Sequence, residues 1–167
     1  MDTAARSRRR TQIVAMALVA AIIVLVAAAG LLGNIVLRAN RGQQASKDAV
    51  QAARQEAVNL VTLDHRHIDD DVRNILTGAT GEFHDEYAKD ATRVKQIVTT
   101  NQVRSSGSIL EAGVVTSDAD SATVLVVVDS MVRNKADEKG QLRHYRIQFE
   151  MSRQGTRWLA RTLQFVT

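Results

Sequence analysis

A chain of 167 residues with no cysteine and no proline has room for one domain of ordinary size, and it excludes disulfides, thiolate metal sites and turns set by a ring-locked φ. The net charge of +4 is unevenly placed. Arg6, Arg8, Arg9 and Arg10 face Asp2 alone at the start of the chain, and the remainder is close to neutral, so the clustered excess that a phosphate-tracking nucleic-acid groove needs is missing.

The run Ile13–Gly33 carries no charge. At about 1.5 Å per helical residue it extends roughly 30 Å, the thickness of a hydrocarbon core. It is longer than the roughly 7–15 apolar residues of a cleaved signal peptide, so the expectation is an uncleaved signal anchor. Residues 1–11 form a cytoplasmic basic tail, residues 12–37 a transmembrane helix, and everything beyond lies outside the membrane by the positive-inside rule. Ala29 and Gly33 form a small-xxx-small pair suited to packing on another membrane helix.

A membrane-proximal helix is expected over residues 38–62, either leading into or forming part of an extracytoplasmic domain at 63–167. Ala45, Ala49, Ala53 and Ala57 recur at helical spacing there. Such a face approaches its neighbour closely; it serves either as core within the domain or as contact for a partner helix, and these four residues with Ala29 and Gly33 are the candidate partner contacts.

The next stretch, "LDHRHIDDD" (Leu63–Asp71), concentrates four aspartates and two histidines. Apolar residues then recur helically from Ile68 through Val72, Ile75, Leu76 and Ala79. Aspartates at the start of such a run suit a cap and a first turn, with Asp69 as the expected cap. His65 and His67 would point to opposite sides of a helix and to one face of an extended segment. His84 and His144 are isolated, so the set lacks the further ligands of a zinc site. No metal, cofactor or catalytic residue is assigned. A further helix carries the stripe Phe83, Tyr87, Ala91, Val94, Ile97 and Val98.

After Arg104 the pattern changes to strands. "SGSILEAGVVTSD" reads as a first strand, and "SATVLVVVDSMVRN", apolar on both faces, as a central second. "NKADEKGQ" reads as a polar turn, "LRHYRIQFEMSRQ" as an alternating third strand, and "RWLARTLQFV" as the last. Short connections imply an antiparallel meander. The fold class is therefore α+β: helices packed on a four-stranded antiparallel sheet behind an N-terminal transmembrane helix.

The order of these features resembles the Mce-associated membrane proteins of actinobacteria. Asp64 and Arg66 with Asp71 look like that family's D-aromatic-R…D pattern, although His65 stands where a Tyr is expected. Thr80-Gly81-Glu82-Phe83…Tyr87 looks like its T-G-x-F…Y helix start. The second strand and the closing Trp158, Leu163, Gln164, Phe165 and Val166 look like its strands. The resemblance implies a cone-like fold of the SnoaL-like, nuclear transport factor 2-like kind, also found in type IV secretion scaffold domains. It implies a non-enzymatic accessory protein that stabilises an Mce-type lipid import complex, with importer proteins and their permease subunits as partners. The alternatives are a lipid-binding carrier domain, or a cone-fold isomerase or cyclase with Asp129 and His144 as its acid–base pair.

Overall fold

The computed structural model describes residues 42–166. The basic tail, the apolar run Ile13–Gly33 and the pair Ala29/Gly33 lie outside these residues, and among the described residues no helix is long and apolar enough to cross a membrane. From Gly42 onward three helices and a sheet make one unit: α1 at 42–61, α2 at Ile68–Gly78, α3 at Gly81–Thr100, then β1 (Arg104–Ser117), β2 (Ser121–Asn134), β3 (Asp137–Gln154) and β4 (Arg157–Phe165). The strands form an antiparallel meander in the order β1-β2-β3-β4.

The alternation of β2 decides the layering. Ala122, Val124, Val126, Val128 and Ser130 are buried, whereas Thr123, Leu125, Val127 and Asp129 between them are only half-buried. The first set faces the helices and the second the opposite, outer face. Ile147, Phe149 and Met151 of β3 join the inner set. Ala49, Ala53 and Ala57 of α1 are fully buried in the same cluster. Small side chains let the α1 backbone lie close to the valine-rich sheet, and apolar burial of this kind supplies the main stabilising term, about 1.5–3 kcal/mol for a side chain the size of Phe149.

Close approach is also written at the end of α1. A Cβ on Gly107 would stand 2.4 Å from Cγ2 of Val61. The Gly107 N–H donates to Oγ1 of Thr62 at 3.0 Å, and the buried hydroxyl of Ser130 donates to the Val61 carbonyl. Helix and sheet are thus bonded where they come nearest.

Both outer strands depart from regular pairing. In β1, Leu110 and Val115 are extra residues with no partner in β2, and both are well exposed. In β4, Arg161 is extra relative to β3. Such bulges bend the strand and raise its twist.

Three local expectations need correction. The polar stretch 134–141 is mostly strand: β3 starts at Asp137, because Oδ1 of Asn134 accepts the N–H groups of Ala136 and Asp137 and closes the turn within two residues. Ile97, placed on the apolar stripe of α3, is 53% exposed; the helix turns its Phe83 and Val98 inward instead. The residue capping α2 is His67, without a side-chain cap bond, and not Asp69.

Candidate functional site

The aspartates of Leu63–Asp71 are spent on the corner between α1 and α2. The Asp64 carboxylate accepts from the backbone N–H and guanidinium of Arg66, and these bonds hold its pKa well below the usual carboxylate range. Oδ2 of Asp71 accepts the Asp64 N–H at 2.8 Å. Asp69, inside the first turn of α2, reaches Lys95 of α3, and Asp70 pairs with Arg73 one turn on. His65 uses its backbone N–H to bond the Val103 carbonyl. Among the described residues no group of three or more His, Asp or Glu is arranged to hold a metal ion.

Asp129 and His144 do come together. They are direct partners across β2 and β3, with Nδ1 of His144 at 2.6 Å from Oδ1 of Asp129. They lie on the outer face of the sheet, however, and the His144 side chain is 70% exposed. An acid–base pair there faces solvent, on the side opposite the helix-lined interior.

Of the two readings of the alanine face, the structure favours core packing within the domain. Ala45, Ala49, Ala53 and Ala57 are buried against the sheet of their own domain, so none of them is available to a second protein while the fold is intact.

The most unusual group of the interior is one that sequence reading passes over. Glu56 lies on the inward side of α1, 2% exposed. Its Oε1 has no hydrogen-bond partner, and its Oε2 accepts only a long bond of 3.4 Å from Asn59. Burial pushes its pKa up to about 8, against a smaller lowering by Asn59. Burial therefore favours the protonated, uncharged form of Glu56 at neutral pH. It borders a cleft of about 440 Å³ between α1, α2 and β4, where Asn74, Thr77, Arg157 and Trp158 also line the wall. The signal was present: position 56 is three residues after Ala53 and seven after Ala49, on the stripe that the alanines define.

Towards the other end of β4 a more apolar groove of about 450 Å³ runs along α3. Leu60, Phe83, Tyr87, Val94, Leu163 and Phe165 line it, with Glu82, Glu86 and Asp90 along the helix. Phe83 and Tyr87 meet edge to face at 5.9 Å, and Phe165, 57% exposed, leans on Tyr145 at 5.8 Å. The Tyr87 hydroxyl is pushed up to about 12, chiefly by burial and then by the Glu56 and Asp71 carboxyls. It stays protonated and can donate. The groove has the composition of a ligand site: an apolar lining with a few polar groups.

Comparison with known proteins places these features. A curated relative, "Uncharacterized protein Rv1363c" of Mycobacterium tuberculosis (strain ATCC 25618 / H37Rv), is 29% identical over 154 residues. The match covers 90% of this chain and 59% of the relative, so the chain spans little more than half the length of that protein. Two solved structures share the fold at 12% identity. The periplasmic domain of DotI has a TM-score of 0.58 over 70% of this chain and 91% of that one. An IcmL-like type IV secretion system protein from Legionella pneumophila subsp. pneumophila str. Philadelphia 1 has a TM-score of 0.57 over 70% and 88%. The family described as "Uncharacterized protein Rv1363c/MT1408-like" matches residues 13–167, and to that family this chain belongs.

Proposed function

We propose that this chain is a single-pass membrane accessory protein whose outer domain stabilises a multi-protein lipid import complex of the Mce type. The observation that carries this reading is the filled interior. Val124, Val126, Val128, Ile147 and Phe149 are fully buried against the alanines of α1, and the paired Asp129 and His144 lie on the outer face of the sheet, away from that core. Close packing of α1 on the sheet suits a domain that makes its contacts through its surfaces. The fold it shares with a periplasmic domain and with a secretion system protein agrees with service in a membrane machine. The uncharged run Ile13–Gly33 behind the arginine cluster supplies the anchor and the orientation, with the N-terminus cytoplasmic and the domain outside. The Mce partners themselves rest on the resemblance in residue pattern.

One observation favours a second reading, a lipid carrier: the apolar groove with Phe83, Leu163 and Phe165. Co-purification with importer subunits, together with uptake of labelled lipid, separates the two. Cells would carry either the wild-type chain or Leu163→Asp and Phe165→Asp variants. A scaffold keeps both complex and uptake in the groove variants and loses both when the chain is deleted. A carrier keeps the complex and loses uptake. Absence of importer subunits from the wild-type preparation would sink the accessory reading.

A further inference from the structure

One corner of the domain gathers like charges. Arg104 opens β1, Arg133 lies near the end of β2, and the two are direct partners in the antiparallel register. Their side chains therefore leave the same face next to one another, an arrangement that is destabilising for like charges. Lys135, in the β2–β3 turn, and His65, in the corner before α2, line the same hollow of about 320 Å³, with Gln102 and Asn134. Glu138 is the one carboxylate in its lining. Among the described residues no ion pair within bonding distance engages Arg104, Arg133 or Lys135; Asp64, the bridge partner of Arg104, feels its charge but has its carboxylate bonded by Arg66.

The fold holds Arg133 and Lys135 in place beside Arg104. The stem of Arg133 lies over Gly140, where an added Cβ would stand 2.6 Å from its Cγ. Lys135 is tied to the end of α3 twice: its backbone N–H donates to the Asn101 carbonyl at 3.0 Å and its ammonium to the Thr100 carbonyl at 2.7 Å. Gln102 adopts a left-handed φ of 51° at the position after the α3 cap, where glycine is usual. The chain keeps a side chain there, and its amide joins the lining.

The geometry points to an oxyanion site at this corner, with a phosphate group held between the guanidinium groups of Arg104 and Arg133. Guanidinium forks match phosphate oxygens in pairs and lose little freedom in doing so. A doubly charged anion between them turns the cross-strand repulsion into attraction, and the amides of Gln102 and Asn134 complete the shell. The hollow takes a phosphate and a small part of whatever carries it, either a soluble phosphate monoester or a lipid headgroup. The site is independent of whether the domain scaffolds an importer.

The test uses the full chain in uncharged detergent, titrated with inorganic phosphate against sodium chloride at matched ionic strength, because general screening also relieves like-charge repulsion. Thermal midpoint and ³¹P line broadening are read together. Phosphate should bind saturably and raise the midpoint beyond the chloride effect. Arg104→Gln and Arg133→Gln should each weaken binding about tenfold while melting no lower than wild type without phosphate. Arg93→Gln, whose arginine pairs with Asp90 elsewhere, should bind as wild type does. Competition by mixed micelles carrying phosphatidic acid, but not by phosphatidylcholine alone, assigns a lipid headgroup; its absence assigns a soluble phosphate. A wild-type response equal to that in chloride, or an undiminished response in both arginine variants, overturns the site.

Discussion

Glu56 and Gly78 share one space: a Cβ added at position 78 would stand 1.9 Å from Oε2 of the Glu56 carboxyl. Helix propensity alone would favour alanine over glycine by about 1 kcal/mol. Overpacking a filled site costs about 1–3 kcal/mol, at the low end here because the carboxyl can swing towards the neighbouring cleft. Gly78→Ala should therefore destabilise the wild type by about 1 kcal/mol and be neutral or stabilising in a Glu56→Ala background. Denaturant unfolding of the four members of the cycle measures the coupling, expected at about 1 kcal/mol or more. Additive effects would show that the carboxyl does not hold that space.

The same carboxyl predicts a pH dependence. Its pKa is raised in the fold to about 8 from an ordinary 4.5, so the folded chain holds a proton that the unfolded chain has lost across that interval. Stability from this group is complete below pH 4.5 and declines as pH rises towards 8, by an amount on the order of a few kcal/mol. Asp64 acts oppositely and only in acid, because its depressed pKa costs stability when pH falls below the ordinary carboxylate range. Thermal midpoints between pH 5 and pH 9 should fall in the wild type and stay nearly level in Glu56→Gln, which keeps the shape without titrating. Parallel slopes for both proteins would assign the dependence elsewhere.

Gln102 ends α3 in a Schellman arrangement. The Val103 N–H donates to the Val98 carbonyl and the Gln102 N–H to that of Thr99, while Val103 packs on buried Val98. With φ at 51°, a side chain at this position costs about 1 kcal/mol relative to glycine. Gln102→Gly should raise stability by about that much, read as a higher urea midpoint with unchanged slope.

Bulk on the alanine face should unfold the domain rather than repel a partner. Ala49→Trp forces an indole between α1 and the sheet at a position with no exposure, and a loss of several kcal/mol is expected. Circular dichroism and protease resistance check it. A folded Ala49→Trp chain that merely fails to co-purify with partners would return the alanines to the surface.

Periodicity made most of the scaffold legible. The bounds of β2 follow from its valine-rich apolar run, and the stripe of α1 from alanines spaced by four. Where periodicity stops being informative, the reading stops as well. Alternation says which residues share a face, but register depends on the extra residues Leu110 and Val115, and no local pattern marks them. The facing of Arg104 with Arg133 could only come from that register, and that of Asp129 with His144 from the separate register of β2 on β3. The alanine stripe revealed that α1 packs closely, not against what. Glu56 was hidden because a single carboxylate on an apolar stripe looks like an interruption, whereas in the fold it is part of the packing.

The three bulges have a consequence for how many copies can live side by side. Under the proposed membrane-anchored reading the domain is confined to two dimensions, where chance encounters between sheet margins are frequent. A straight margin would accept the backbone of a neighbouring copy and begin a ribbon. Leu110 and Val115 in β1 and Arg161 in β4 break the rhythm of donors and acceptors on the only two margins of this sheet. Such breaks disfavour backbone pairing between copies and leave association to side chains, which can choose a partner.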